Sequence, residues 1–329
     1  GYSAWRERLI ETVGQFQTWL EDHELATPDQ EFRIFEAIDA LRKDRLTVAF
    51  VAEFSRGKTE LINALFFSQY GQRLLPSEAG RTTMCPTELF YDRENDKAYI
   101  HLLPIETRLQ EKSIADFRHD PIDWTQIPLD VNNTAQVAEA LHEVIKTKQV
   151  PIARSVELGL YDEQTDPYFQ AHNQRPEQVE IPHWRHALIS FPHELLKQGL
   201  VVLDTPGLNA MGHEPELTLN MLPAAQAVLF LLGADTGVTR SDMEMWQQHI
   251  RKISGRSDSN LVVALNKIDS LWDELKDSSS INASIEAQRR STAEQLQVDA
   301  SRVFPISAQK GLLAKIRDDR HLLQSSRLY

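Results

Sequence analysis

The sequence predicts an α/β fold with a mostly parallel central sheet that is flanked by helices. Two observations support this prediction. Short apolar runs rich in β-branched residues recur along the chain, and segments with helical patterning separate most of them. Strands that alternate with helices form parallel sheets, because each helix returns the chain across a face of the sheet. The chain has 329 residues, which is enough to bury a large core.

The first segment of the chain, residues 1–45, is predicted to be helical. Its apolar residues recur every three or four positions and form one helical stripe: Trp5, Leu9, Val13, Phe16 and Leu20. The residues ATPDQEF then indicate a break, with Thr27 as the candidate cap of a second helix that begins at Pro28.

Residues 46–329 carry the strands of the predicted sheet. The first strand is LTVAFVA at 46–52, and TELINALFF, which follows its loop, is predicted to be a helix. Later buried strands are predicted in GLVVLD at 199–204, AVLFLLGA at 227–234, NLVVALN at 260–266 and RVFPIS at 302–307. Between about residues 95 and 195 the alternation fades, and polar segments rich in proline predict a long insertion with some helix.

The loop after the first strand matches most of the phosphate-binding pattern G-x-x-x-x-G-K-[ST]. Gly57, Lys58 and Thr59 are in place, and Ala52 replaces the first glycine. In such a loop backbone N–H groups bind phosphate, the lysine reaches the β- and γ-phosphates, and the threonine hydroxyl binds Mg²⁺. Alone, this imperfect match could equally arise by chance. If residue 52 needs a positive φ, alanine strains the loop by about 1 kcal/mol and weakens phosphate binding.

A second motif, LDTPGLN, follows the strand at 199–204. Asp204 ends this buried strand, and the carboxyl edge of an α/β sheet is where ligands bind. Its carboxylate can hold Mg²⁺ through water, and the N–H of Gly207 can contact a γ-phosphate. The residues D-T-P-G alone would equally predict a tight turn.

A third motif, N-K-x-D, consists of Asn266, Lys267 and Asp269 and predicts guanine recognition. One carboxylate can accept from both N1–H and the exocyclic amino group of guanine, whereas adenine offers neither donor there. A charged loop after a strand is the alternative. Ser307 and Ala308 in VFPISAQKG could contact guanine O6 through their backbone, although a plain strand–loop connection explains them as well.

The order of these motifs decides between chance and function. Each follows a predicted strand, and independent accidents in this order are improbable, so the sequence predicts a guanine-nucleotide-binding fold. A threonine between the first two motifs must then close over Mg²⁺ and the γ-phosphate. Thr83 is the candidate, Thr82 is the second choice, and a threonine-rich turn is the alternative.

Together, EFSRGKTELINAL, RTTMCPTEL, LDTPGLN and LNKID resemble the GTPase domain of the dynamin superfamily, and most of all its bacterial dynamin-like members. The resemblance runs from about residue 46 to residue 315. It implies a GTPase (P-loop NTPase) fold, Mg²⁺ as cofactor, GTP as substrate and GDP as product. It also implies a neck-like role for residues 1–45, for which an ordinary amphipathic helix packed on the sheet is the alternative.

The motifs and the resemblance together predict roles for individual residues. Catalysis is assigned to Lys58, Thr83 and Arg56, and Mg²⁺ to Thr59, Thr83 and Asp204. Nucleotide contacts are assigned to a larger set that follows the motifs: Glu53, Phe54, Ser55, Arg56, Gly57, Lys58, Thr59, Glu60, Asp204, Gly207, Asn266, Lys267, Asp269, Ser307 and Ala308.

Two residues of the first loop bear on the rate of hydrolysis. Eukaryotic dynamins place a catalytic glutamine at the position of Phe54, and phenylalanine cannot orient water. Hydrolysis must therefore use other groups or be slow. Arg56 could stabilise developing charge as a finger, and a solvated loop arginine is the alternative.

Charge and cysteine content constrain compartment and partners. The formal net charge of −13 disfavours nucleic acid and anionic lipid as partners by bulk electrostatics. The single cysteine, Cys85, and the absence of a signal-peptide pattern fit a cytoplasmic protein. By resemblance, the partners are a second copy of the chain, through dimerisation across the nucleotide, and a membrane reached through segments outside this sequence, at the inner face of the cell membrane.

The sequence is consistent with three hypotheses of function. The first is a self-assembling GTPase that serves membrane remodelling, represented here by its GTPase domain or by a short family member. The second is a nucleotide-dependent scaffold or switch with little hydrolysis, which Phe54 and Ala52 favour. The third is an RNA-associated GTPase, which the acidic composition disfavours.

Overall fold

The computed structural model describes residues 2–23, 25, 27–75, 85–118, 120–161, 163, 166–206, 221–251, 260–273 and 275–328. Within these ranges, no helix is both long enough and apolar enough to cross a bilayer. The strands, in chain order, are β1 Leu46–Ala52, β2 Thr87–Phe90, β3 Tyr99–Pro104, β4 Thr125–Pro128, β5 Thr147–Pro151, β6 Gln178–Pro182, β7 Trp184–Ser190, β8 Leu200–Asp204, β9 Ala227–Gly233, β10 Leu261–Asn266 and β11 Val303–Pro305.

Helices precede the first strand and separate most of the later ones. The α-helices are α1 Tyr2–Asp22, α2 Pro28–Lys43, α3 Lys58–Ile62, α4 Ile114–Arg118, α5 Thr134–Val144, α6 Ile152–Glu157, α7 Pro167–His172, α8 Glu194–Lys197, α9 Leu222–Ala224, α10 Arg240–Met245, α11 Ser278–Leu296, α12 Ala308–Arg317 and α13 Arg320–Ser326. A π-helical turn continues α3 over Asn63–Phe67, and another continues α10 over Trp246–Ile250. The two helices predicted before the first strand are confirmed.

The main sheet has the strand order β11-β10-β9-β1-β8-β2-β7-β3-β4, and β5 pairs with β6 in a separate antiparallel sheet. The pairs β11–β10, β10–β9, β9–β1, β1–β8 and β2–β7 are parallel. The pairs β2–β8, β3–β7 and β3–β4 are antiparallel. A mostly parallel α/β sheet is therefore confirmed, as are the predicted strands that became β1, β8, β9, β10 and β11.

The region between residues 95 and 195 is more closely joined to the sheet than its sequence indicates. It supplies β3, β4 and β7 to the main sheet, and the pattern did not reveal β3 and β4. Pro104 and Pro128 end these two strands. Proline cannot donate to a sheet ladder, so it is tolerated at strand ends, where it interrupts the sequence pattern without disrupting pairing.

The core forms two apolar layers, one on each face of the main sheet. Successive residues of β1 contribute to opposite layers, Phe50 and Ala52 to one and Ala49 and Val51 to the other. Burial on both faces is typical of a central strand in a parallel sheet. It fixes the end of β1, and thus the loop that follows it, on a rigid support.

Candidate functional site

One edge of the main sheet brings the sequence motifs together. The carboxyl ends of β1, β8 and β10 meet at this edge, because β1 pairs with β8 and β9, and β9 pairs with β10. Asn266, the last residue of β10, donates from Nδ2 to the backbone oxygen of Arg56 at 2.8 Å. Asp204, the last residue of β8, has Oδ1 2.7 Å from Lys58 Nζ. The strand-end motifs therefore form one site.

The loop over residues 53–57, called the phosphate loop below, turns through two residues with positive φ. These are Ser55, with φ of 62°, and Gly57, with φ of 86°. Ala52 is the last residue of β1, is 2% exposed and is not among the described residues with positive φ. The strain predicted for a positive φ at residue 52 therefore does not occur, because alanine fits extended backbone without cost.

Gly57 is the position of the phosphate loop least able to accept a side chain. A Cβ built there would lie 2.4 Å from Asn266 Nδ2, and its positive φ disfavours any L residue. We expect Gly57→Ala to push the Asn266 amide away from Arg56 and to weaken guanine-nucleotide binding by about tenfold or more, equivalent to about 1.4 kcal/mol. Titration with a fluorescent GDP analogue measures the loss.

Gly14→Ala is the matched control for this substitution. Gly14 lies in α1, and a Cβ built there meets nothing within 4 Å. Alanine is favoured over glycine inside a helix, so this variant should unfold at the same or a higher temperature than the wild type and should bind nucleotide equally. Wild-type affinity in Gly57→Ala would contradict the tight packing described for the loop.

Lys58 and Asp204 form an almost buried ion pair beside the phosphate loop. Their side chains are 15% and 9% exposed, and Lys58 also donates to the backbone oxygen of Thr205. Asp204 Oδ1, which faces the Lys58 ammonium, is a hard oxygen ligand. The hydroxyl of Thr59, in the first turn of α3, is a second hard oxygen donor. These donors fit Mg²⁺, which prefers oxygen ligands and often uses only one or two from the protein.

Three predicted residues fall outside the part of the chain that the structure describes. They are Thr82 and Thr83, the candidates for the switch threonine, and Gly207, the candidate contact to a γ-phosphate. The roles of these three residues therefore stay predictions.

Asn266 joins three of the predicted motifs through its side-chain amide. The residue is 2% exposed. Its Oδ1 accepts from the backbone N–H of Ala308 at 2.9 Å, while its Nδ2 donates to Arg56 in the phosphate loop. One buried amide thus holds the phosphate loop, the end of β10 and the start of α12 in a fixed arrangement.

The predicted guanine-reading carboxylate, Asp269, is oriented by a neighbouring hydroxyl. Ser307 Oγ lies 2.5 Å from Asp269 Oδ1 and donates to it. Lys267 precedes it with φ of 64°, and Lys267 Nζ lies 2.8 Å from Asp235 Oδ2. The carboxylate is therefore held in place at the edge of the sheet, with lone pairs left to accept from a base.

The backbone of Ser307 and Ala308 differs from its prediction. Both N–H groups were expected to contact guanine O6, but Ser307 N donates to Ser326 O at 2.8 Å and Ala308 N donates to Asn266. Because each N–H already has an acceptor, this arrangement does not offer them to a base. Ser307 instead contributes through its hydroxyl, which the sequence pattern did not indicate.

The side chain of Arg56 contradicts one of its two predicted alternatives, the solvated loop residue. It is 7% exposed and therefore not a solvated loop residue. Its guanidinium donates to both carboxylate oxygens of Asp242, at 3.1 and 2.8 Å, and to the hydroxyls of Thr236 and Thr239, each at 3.1 Å. In this arrangement the guanidinium is bound within the protein, and its role as a charge-stabilising finger stays a prediction.

Other side chains in the predicted nucleotide set are also engaged within the protein. Glu53 Oε1 accepts from the backbone N–H of Phe54 at 3.1 Å. Glu60 is buried, and Arg73 donates to its two oxygens at 2.6 to 3.0 Å. Any phosphate contact from Glu60 must then come from its backbone. Phe54 is half-buried and brings an apolar ring to the loop.

Asp242 is a residue of the site that the sequence motifs do not reveal. Thr239 and Asp242 form a capping box at the start of α10, and their T-x-x-D spacing is a signal for such a cap. The spacing does not indicate that the same carboxylate pairs with Arg56, which lies 186 positions earlier in the chain. Only the folded sheet brings the two together.

The chain matches the family model described as the dynamin family over residues 48–268. Two curated proteins are similar to it. One, from Caldicellulosiruptor sp. (strain Rt8B.4), is described as an uncharacterized protein in the xynA 3' region and is 22% identical over 291 residues, which is 88% of this chain and 55% of that protein. The other is a bacterial dynamin-like protein from Nostoc punctiforme, 23% identical over 201 residues, which is 61% of this chain and 22% of that protein. The chain thus spans about half the length of the first relative and less of the second.

Two solved structures are similar at a lower level. One is described as the LeoA bacterial dynamin GTPase from ETEC, with a TM-score of 0.48 and 14% identity, covering 99% of this chain and 42% of that one. The other is a chain of an oligomerised bacterial dynamin pair described as sensing and tethering membranes. It has a TM-score of 0.47 and 15% identity, covering 95% of this chain and 40% of that one.

Proposed function

The chain belongs to the dynamin family, whose members are GTPases, and we infer from this membership and from the site that it binds GTP and hydrolyses it to GDP and phosphate. One observation carries the proposal. The ion pair of Lys58 with Asp204 and the hydrogen bond of Asn266 with Arg56 join the phosphate loop to the strand-end motifs at one sheet edge. A loop that binds phosphates and a carboxylate that reads a base are thereby placed on one rigid support.

The phosphate end of the proposed site uses backbone and cationic groups. Lys58 lies where its ammonium can move from Asp204 to the β- and γ-phosphates. The backbone N–H groups that follow Gly57, at the start of α3, can donate to a phosphate. The proposed ligands of Mg²⁺ are Thr59, Asp204 and Thr83. When bound, the ion neutralises charge on the β- and γ-phosphates. Gly207 is proposed to contact the γ-phosphate through its N–H.

The proposed base end reads guanine through Asp269. The hydroxyl of Ser307 holds one of its oxygens, which orients the carboxylate towards the two adjacent donors of guanine. Asn266 holds this end in a fixed position relative to the phosphate loop, because its amide binds both Arg56 and Ala308. We propose Lys267 as a further contact to the nucleotide, once it leaves Asp235.

Hydrolysis is proposed to depend on self-assembly. Phe54 brings no polar group to the phosphate loop, and Arg56 is committed to Asp242, so neither side chain can orient water or stabilise charge in this arrangement. The remaining proposed catalytic groups are Lys58 and Thr83. The backbone of Thr83 would orient the attacking water. A second copy of the chain, bound across the nucleotide, would order these groups.

A nucleotide-dependent scaffold or switch is the second candidate. The phosphate loop favours it, because Phe54 has no polar group to orient water and Arg56 is bound to Asp242. In this case GTP would bind tightly and turn over slowly.

The wider setting of the protein is also proposed. Residues 1–45 would form a neck-like helical segment and residues 46–329 the GTPase domain, with an insertion at about 95–195. The protein would act in the cytoplasm or at the inner face of the cell membrane. Its role in membrane remodelling would use segments outside this sequence, and nucleic acid is not an expected partner because of the acidic charge.

GTP hydrolysis measured at several protein concentrations tests the proposal. With Mg²⁺ present, we expect the rate per molecule to rise with protein concentration, because dimerisation follows mass action. ATP is the control nucleotide and should not turn over. Tight GTP binding with a flat, near-zero rate would instead support the scaffold, and equal turnover of ATP would contradict the base-reading role of Asp269.

A further inference from the structure

The ion pair of Arg56 with Asp242 is the most deeply buried charged contact at the proposed site. The Arg56 side chain is 8% exposed and that of Asp242 is fully buried. The contact is bidentate, with Nε at 3.1 Å from Oδ1 and Nη2 at 2.8 Å from Oδ2. Bidentate arginine–carboxylate pairs fix direction as well as distance, because both groups are planar.

Asp242 is itself held firmly at the start of α10. Its Oδ2 accepts from the backbone N–H of Thr239 at 2.9 Å and from the Thr239 hydroxyl at 2.7 Å. The pair of residues forms a capping box, so the carboxylate is part of the helix terminus. An arginine bound to it is therefore anchored to a regular element and not to another loop.

Arg56 is fixed at its backbone as well as at its side chain. Its carbonyl oxygen accepts from Asn266 Nδ2, while its guanidinium is bound by Asp242 on the other side. The residue lies between Ser55 and Gly57, the two positions of positive φ in the phosphate loop. Anchoring the residue between them constrains the dihedral angles on which the direction of the loop N–H groups depends.

We propose that Asp242 is a positioning residue of the phosphate loop. Through Arg56 it holds residues 55–57 in the conformation in which their N–H groups can converge on a phosphate. The inference rests on the proposed nucleotide function, and it assigns to α10 a part in phosphate binding that none of the sequence motifs includes. A charge pair is suited to this task, since a buried pair costs desolvation but specifies one geometry.

The proposal predicts which part of the nucleotide loses affinity when the pair is broken. Loop N–H groups contact phosphates and not the base, which is bound at the far end of the site by Asp269. Disordering the loop should therefore weaken the binding of nucleotides that carry a β-phosphate. The contribution of the base and the sugar to the binding free energy should stay unchanged. A purely structural role would affect GMP and GDP alike, or neither.

Asp242→Asn in the full chain is the test, because asparagine keeps the shape of the side chain while it removes the charge and turns an amide towards Arg56. The dissociation constants of GMP, GDP and GTP are measured by calorimetry. We expect those of GDP and GTP to rise about tenfold and that of GMP to change less than twofold. Arg240→Gln is the matched control on α10, since the Arg240 side chain is 93% exposed and pairs with the exposed Glu244. It should change none of the three dissociation constants.

The outcomes separate the inference from the function on which it rests. A wild-type chain that does not bind GTP, or that binds GMP as tightly as GDP, contradicts the proposed nucleotide site itself. The positioning role is overturned if the wild type clearly prefers GDP and Asp242→Asn keeps that preference. An equal loss of affinity for GMP and GDP also overturns it. If Asp242→Asn does not fold, Arg56→Lys keeps the charge but loses the bidentate contact. It should then show a smaller fall in the same GDP-to-GMP preference, and an unchanged preference overturns the role.

Discussion

Lys58→Ala is expected to reduce GTP and GDP affinity at least about a hundredfold and to leave no measurable hydrolysis. The Lys58 ammonium lies beside the phosphate loop and can move from Asp204 to the phosphates, whereas the guanidinium of Arg56, within the loop, is bound to Asp242. Charge-assisted contacts in a site with little water contribute several kcal/mol to phosphate binding. Nucleotide titration and a phosphate-release assay measure both effects.

A loss of folding has to be separated from a loss of binding in Lys58→Ala. Lys58→Ala leaves the almost buried Asp204 carboxylate without its cation, and breaking a buried ion pair in this way costs up to about 3 to 5 kcal/mol. Thermal unfolding without nucleotide reports this cost, which should lower the midpoint without abolishing the transition. Lys112→Ala, which removes a lysine whose Nζ lies 3.9 Å from Asp123, is the control and should bind and hydrolyse as the wild type does. A folded Lys58→Ala protein with wild-type GDP affinity would refute the phosphate loop.

The sheet and its strand-end motifs could be predicted because they depend on local patterns. β1, β8 and β10 are mostly apolar runs. β8 ends at Asp204 and β10 at Asn266, and the phosphate loop follows β1 directly. Parallel strands place their carboxyl ends at one edge, so the sequence alone predicts that these side chains meet. The pair of Lys58 with Asp204 is the direct consequence of that rule.

The partners of individual polar groups could not be predicted, because they depend on the packing of distant segments. Arg56 could be recognised as unusual for its loop, but nothing local to it indicates that α10 supplies a buried carboxylate. The N–H of Ala308 was assigned to a base, whereas the folded chain gives it to Asn266. The strain expected at Ala52 depended on a backbone angle that a sequence does not specify.

Asp269→Asn is expected to exchange the base preference of the proposed site from guanine to xanthine. The asparagine oxygen can still accept from Ser307, as Asp269 does, and from N1–H, but its NH₂ group then faces the exocyclic amino group of guanine. A donor that faces a donor leaves both groups unpaired, so GDP affinity should fall about a thousandfold. Xanthine has a carbonyl in place of the amino group, so the asparagine amide can donate to it while the asparagine oxygen accepts from N1–H. XDP affinity should therefore rise by a similar factor.

Competition binding with GDP and XDP on wild-type and variant chains measures this exchange. Asp273→Asn is the matched control, because Asp273 lies four residues further on, with its carboxylate 39% exposed and 3.7 Å from Lys276 Nζ. It should keep the guanine preference, since a partly exposed pair of this kind contributes little and does not face the base. Equal losses of GDP and XDP in Asp269→Asn would mean that the carboxylate serves only to hold Ser307 and α12. A loss of GDP with a gain of XDP can come only from direct contact between residue 269 and the base, because no change in folding stability has that sign for two ligands that differ at one group.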